Sequence, residues 1–323
     1  SAGAGVGTNG GSFAFNVREN NWLGRGLNVS TFLEADQDTI KGSLAVTDPN
    51  YNYSGNSLGW FVSSTQNDKP DSGYENSLMS TGINTAFEQY KDVHLNAGIA
   101  LNYDDMKVQD TASASLKKQA GTFADISLDY GIGIDKRDKV YMPTSGYVST
   151  FTQTIPVYAD SPYLRNNYRF SKYNAFGEDV IGSFKLFLSS INGFQGEDVR
   201  LSKRARIPRN RIRGFKPGKI GPKDGTDYVG GNYVAAVNFE TSLPNLLPEN
   251  SKTDVGLFLD LANIWGVDYS SSLDDSNTIR SSVGVATSWL SPIGPLSFIL
   301  AQDIAKADTD QTQSFTFNLG TSF

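Results

Sequence analysis

The chain has 323 residues, a formal net charge of −6, no cysteine and one histidine; 38% of it is hydrophobic, with 32 Gly, 19 Phe and 15 Tyr against 3 Met. This excludes a disulfide scaffold, a thiol enzyme and a zinc–thiolate site. It also excludes a bundle of membrane helices, since no stretch nears the roughly 20 apolar residues a helical span requires, but leaves open a β-barrel, whose strands alternate between lipid and lumen.

Period-2 alternation over segments of about ten residues, punctuated by Gly, Asn, Asp and Pro, runs through the whole sequence and predicts strands. In chain order these are 1–7, 12–18, 27–35, 40–47, 58–66, 74–87, 93–103, 122–135, 146–157, 163–175, 180–191, 231–243, 253–263, 281–290, 295–303 and 314–323. Val93, Leu95, Ala97, Ile99, Leu101 and Tyr103 oppose His94, Asn96, Asn102 and Asp104. From Gly231, Tyr233, Ala235, Val237, Phe239 and Leu243 oppose Asn232, Asn238, Glu240 and Ser242. Val255, Leu257, Leu259 and Leu261 then face away from Asp254, Asp260 and Ala262, and the last strand sets Phe315, Phe317, Leu319, Thr321 and Phe323 against Ser314, Thr316, Asn318, Gly320 and Ser322. Apolar residues keep helical spacing nowhere, so the expected class is all-β.

Sixteen strands, an even number, close an up-and-down antiparallel barrel with both termini on one rim. Connections after even strands are short, and those after odd strands include the long 104–121, 192–230 and 264–280. That asymmetry is the sidedness of a transmembrane barrel with its termini on the periplasmic side. A soluble sandwich or propeller also alternates. It would need a second packed core, yet the faces opposite the apolar rows carry Ser, Thr, Asn, Gly and carboxylates. Trp22, Trp60, Tyr103, Tyr147, Trp265, Trp289 and Phe323 also fall near strand ends, as interfacial girdles do.

Gly5-Val6-Gly7-Thr8-Asn9-Gly10 matches G-x-G-x-x-G, but a strand follows where dinucleotide binding requires a helix. No G-x-S-x-G occurs, and the lone His94 reads as a polar lumen residue, so no enzyme, metal or cofactor is expected. Asp104-Asp105 and Asp274-Asp275 read as solvated loop charge without calcium-loop spacing. Between Lys203 and Lys223 lie nine cations and no acid. That run is either a surface for phosphate groups of nucleic acid or lipopolysaccharide, or a loop folded into the lumen against Glu34, Asp125, Asp129, Glu240 and Asp260. Charge alone leaves both readings open.

Ile212-Arg213-Gly214-Phe215, then Lys219-Ile220-Gly221-Pro222 and Gly230-Gly231, resembles the sixth-loop signature of the BamA family of outer-membrane assembly barrels. Asn21-Trp22-Leu23-Gly24-Arg25-Gly26, Val46-Thr47-Asp48-Pro49, Tyr141-Met142-Pro143-Thr144-Ser145-Gly146 and Trp289-Leu290-Ser291-Pro292-Ile293-Gly294-Pro295-Leu296 resemble its turns, in order along essentially the whole chain. The resemblance implies a 16-stranded transmembrane barrel in the outer membrane of a Gram-negative bacterium, with the long loop in the lumen and Arg213 on Glu240 and Asp260. It implies assembly and insertion of other β-barrels, with unfolded outer-membrane proteins as clients, accessory lipoproteins and outer-membrane lipid and lipopolysaccharide as partners, and no nucleic acid or cofactor. The family's periplasmic POTRA repeats have no counterpart here, so residues 1–323 are expected to form a single barrel domain.

Templating a client strand requires a barrel edge, and the expected gate is the seam between the first and last strands: Gly3, Gly5 and Gly7 against Phe315, Phe317, Leu319 and Phe323. Glycine weakens a strand and leaves its register loosely specified, so such a strand can accept another by β-augmentation. The alternatives are a polypeptide-secreting relative, TamA-like or a two-partner secretion transporter, and a diffusion porin. A lipopolysaccharide-binding barrel rests only on the basic loop.

Overall fold

The computed structural model describes residues 1–140, 142–177, 180–243, 246–248, 251, 253–291 and 294–322. Sixteen antiparallel strands close into a barrel. They are β1 (Ala2–Gly7), β2 (Gly10–Trp22), β3 (Leu27–Ala35), β4 (Thr39–Asp48), β5 (Ser57–Lys69), β6 (Tyr74–Tyr90), β7 (Val93–Val108), β8 (Gly121–Asp135), β9 (Gly146–Ala159), β10 (Tyr163–Ala175), β11 (Ile181–Gly193), β12 (Tyr233–Leu243), β13 (Thr253–Trp265), β14 (Arg280–Ser291), β15 (Gly294–Ala305) and β16 (Phe315–Ser322). Each strand pairs with its sequence neighbour, and β1 pairs with β16. Closure removes every edge, which is what allows a sheet to cross hydrocarbon with its backbone groups paired. No helix among the described residues is long and apolar enough to cross a membrane.

The two faces of each strand are used as the alternation predicts. Ile83, Ile99, Leu101 and Leu257 stand exposed on the outside of the wall. A contiguous apolar surface of this kind is what a bilayer covers. The packed core lies inside the tube. Residues 194–232 fold back into the lumen, and Val199, Ala205, Ile207, Ile212, Phe215 and Ile220 pack on inward Phe187, Ile191, Val234, Ala236, Ala262 and Ile264. Leu201 and Val229 of the same loop pack on Tyr74, Met106, Ala112, Leu116 and Val267. A two-stranded hairpin inside the loop, Lys223–Asp224 with Asp227–Tyr228, is separate from the wall.

Several strands run further toward the long-loop rim than the apolar alternation signals. β7 continues to Val108, past the expected 103, and β5 continues to Lys69. There the inward residues meet the folded-in loop and the outward ones need not be apolar. Asp104 is therefore not solvated loop charge: it sits within β7, 1% exposed, accepting hydrogen bonds from Asn76 Nδ2 (2.6 Å) and Ser202 Oγ (2.8 Å). Asp275 is likewise a partner, 2.6 Å from the guanidinium of Arg280. Gly5 to Gly10 is the β1–β2 hairpin, with no helix after it.

Candidate functional site

The long loop is pinned at Arg213. On β12 and β13, register sets Asn238 opposite Asp260 and Glu240 opposite Phe258, and alternation turns all four into the lumen. Asp260 is 0% exposed. Arg213 reaches it with Nε (2.7 Å) and Nη2 (2.6 Å), and its backbone N–H donates to the same carboxylate at 3.0 Å. Nη1 lies 2.9 Å from Glu240 Oε1, and the guanidinium stacks 3.7 Å above the Phe258 ring. A planar fork that meets Asp260 with two nitrogens and Glu240 with a third, over an aromatic face, uses what arginine has and lysine lacks.

The surroundings fix this geometry. Asn238 Nδ2 donates to Asp260 Oδ1 (2.8 Å) and to the Arg211 carbonyl (3.0 Å). Ser282 Oγ of β14 donates to the Arg213 carbonyl at 2.5 Å. Gly214 has φ +86°, and a Cβ there would stand 3.0 Å from that of Ala301, so the bend after the arginine accepts no larger residue without strain. Ile212 and Phe215 anchor the flanks in the inner cluster. Lys185 of β11 ion-pairs with Glu240 Oε2, so that carboxylate is shared by two cations. Lys185 was not distinguishable from any other strand lysine until register placed Ser183 opposite Glu240.

Three more cations of the loop, Lys203, Arg204 and Lys219, find counter-charge, and of the basic stretch 204–210 before the motif only Arg204 does so among the described residues. Arg204 pairs with Asp268, donates to Asn232 Oδ1 at 2.9 Å and lies over Tyr269. Asp268 also accepts from Val199 N (2.7 Å) and Asn232 Nδ2 (3.0 Å). Burial pushes the Asp268 carboxyl up, but the Arg204 guanidinium and these two donors outweigh it and hold it below its ordinary value. Lys203 lies 3.9 Å from both Asp104 and Asp125, and Lys219 2.9 Å from Asp71. Of the five expected counter-charges, Asp125, Glu240 and Asp260 meet loop cations. Asp129 instead accepts from the hydroxyls of Ser127 and Thr154. Glu34 lines a cavity beside Arg209 without an ion pair.

A second anchor was invisible to the alternation. Arg280, the first residue of β14, is 0% exposed and donates from Nε to Asp310 at 2.8 Å. Together with Asp275 this ties the wall to the loops 266–279 and 306–314.

At the seam, β1 and β16 run from Gly3 opposite Ser322 to Gly7 opposite Asn318. The glycines and the aromatics expected there lie on opposite faces. Register puts Gly3, Gly5 and Gly7 in the inward row, next to Ala14, Ser12 and Gly10 of β2 and to Asn318 and Gly320 of β16, while Phe315, Phe317 and Leu319 face lipid beside Ala4 and Val6. Phe323 lies outside the described residues. Strand approach is close at Gly7, where a Cβ would come within 2.5 Å of Asn318 Oδ1 and the Phe317 carbonyl. Behind the glycine row lies a cavity of about 330 Å³ lined by Gly5, Gly7, Gly10, Asn318 and Arg209. Thr8 closes the long-loop end of the seam: its N–H donates to the Phe317 carbonyl (3.0 Å), and its hydroxyl accepts from Phe317 N (2.7 Å).

Residues 21–323 match the Omp85 superfamily domain. The outer membrane protein assembly factor BamA of Neorickettsia risticii is 26% identical over 264 residues, 80% of this chain and 36% of that protein. The chain thus spans just over a third of that relative's length. The crystal structure of Haemophilus ducreyi BamA lacking POTRA domains 1–3 superposes with a TM-score of 0.91 at 23% identity, over all of this chain and 69% of that one. CdiB from Escherichia coli superposes at 0.59 with 14% identity, over all of this chain and 62% of that one. With a family match over nearly its whole length and a closed sixteen-stranded barrel of the BamA kind, the chain belongs to the Omp85 superfamily.

Proposed function

We propose that this chain is the membrane barrel of a factor that folds and inserts other β-barrel proteins into the outer membrane of a Gram-negative bacterium. In hydrocarbon each unpaired backbone group costs several kcal/mol, so a growing barrel needs a partner for its open edge. The observation that carries the reading is the β1–β16 wall: two short strands, one of six residues and one of eight, with three glycines on the lumen face of the first. In this reading the wall is a lateral gate, and β1, once parted from β16, offers its edge to a client strand. Arg213 on Glu240 and Asp260 keeps the long loop from filling the space behind the gate at random. The clients are unfolded outer-membrane proteins; accessory lipoproteins and the lipid and lipopolysaccharide of that membrane are the expected partners.

The loop packed into the lumen argues against a diffusion porin, which needs an open channel. A secreting transporter shares the fold, and the lower likeness to CdiB weighs against it. The test is reconstitution of the natural full-length protein in lipid vesicles with a urea-unfolded outer-membrane barrel. The expected result is conversion of the client to a heat-modifiable, protease-resistant form faster than in protein-free vesicles. No acceleration, together with transport of a polypeptide into the vesicle interior, would assign secretion instead.

A further inference from the structure

The residues just ahead of β16 run along the long loop rather than along the wall. Lys216 N donates to the Gln311 carbonyl (2.9 Å), Gln311 N to the Lys219 carbonyl (3.0 Å) and Gln313 N to the Gly214 carbonyl (2.9 Å), with Phe215 and Thr312 bridged between them. Gly221 N donates to Asp310 Oδ1 at 3.1 Å, and the same carboxylate receives Arg280 Nε (2.8 Å) and Nη2 (3.1 Å) from the wall. Tyr228 Oη donates to the Thr309 carbonyl. On the other flank Ala301 N of β15 donates to the Ser314 carbonyl at 2.8 Å. The upstream end of the gate strand is therefore held from two sides, one of them through a buried ion pair.

Toward its other end the described pairing with β15 stops sooner than the pairing with β1. β15 pairs with β16 only as far as Leu296 opposite Leu319. Beyond it Gly320, Thr321 and Ser322 pair with Gly5, Ala4 and Gly3 of β1. Freeing the upstream end would unpair backbone groups and strip a buried guanidinium of a carboxylate, both costly without water. Freeing the downstream end gives up, among the described residues, backbone pairing and no ion pair.

We propose that Asp310, Gln311 and Gln313 are positioning residues that keep the root of β16 fastened to the long loop while the seam opens, so that β16 parts from β1 by swinging about Ser314 with its C-terminal end leading. This rests on the lateral-gate reading of the seam. The motif around Arg213 then serves as the fixed post of the gate as well as the plug's anchor, because Gly214 and Lys216 lie on the same ladder.

The cysteine-free chain lends itself to a disulfide test in the natural full-length protein. Lys216→Cys with Gln311→Cys joins an exposed and a half-buried side chain that already touch (Lys216 Nζ to Gln311 Oε1, 3.3 Å) and locks the clamp shut. Val6→Cys with Leu319→Cys locks the seam itself across a register pair. The expected outcome is full insertion of clients with the clamp locked, and loss of insertion, restored by reductant, with the seam locked. Loss of insertion on locking the clamp, with the seam lock still behaving as expected, overturns the fixed pivot and leaves the gate intact. Full insertion with the seam locked removes the gate, and the pivot with it.

Discussion

Arg213 turns its Nε, Nη1 and Nη2 to two carboxylates from neighbouring strands while its flat face covers Phe258, so its removal strands a buried Asp260. Loss of one partner from a buried ion pair costs about 3–5 kcal/mol. Arg213→Ala is expected to lower the denaturant midpoint of the folded barrel accordingly, and Arg213→Lys to recover only part, since an ammonium does not bridge both acids; wild-type unfolding of Arg213→Ala would remove the pin. Asp268 gives the pH dependence of the loop's other tie. Its folded carboxyl is held below its ordinary value, so the stability it contributes is complete above the carboxylate range and is lost as pH falls through the lowered value. Protection of the loop amide of Val199 from hydrogen exchange should therefore weaken on strong acidification, and Asp268→Asn should weaken it already at neutral pH. Arg213 with its two acids was legible because a motif and strand parity both named them. Arg280 with Asp310 was not: 30 residues separate the two, and nothing in either local pattern tells a buried ion pair from surface charge.

At the scale of the element, the strand pattern carried the fold because the side-chain period of a strand and the two media it separates are the same signal. The pattern fails where both faces leave the bilayer, as at the ends of β5 and β7, and at bulges such as the one between Ile126 and Ser127. It also named the seam residues without their faces. Because the glycines point inward, closeness of β1 to β16 depends on them: Gly7→Val would drive a branched side chain into Asn318 and the Phe317 carbonyl. The expected result is slower and less complete disulfide formation between cysteines at Val6 and Leu319. An unchanged rate would mean that the glycine row does not set the strand spacing.

The whole molecule is a tube whose polar interior is filled by its own basic loop. The net charge of −6 averages that loop and the acids that receive it. A plugged lumen predicts low ion conductance in planar bilayers, and replacing residues 199–231 by a short Gly/Ser linker should raise it; an open, porin-like conductance in the intact protein would contradict the plug. The central claim is that β1 receives a client strand. The direct measurement places a single cysteine at Ala4, on the lipid face of β1, and cysteines along the terminal strand of a client stalled during insertion. A disulfide is expected to one client position and its neighbours of the same parity, the signature of antiparallel pairing in a fixed register. A client that inserts at the normal rate without ever being captured at β1 would contradict it.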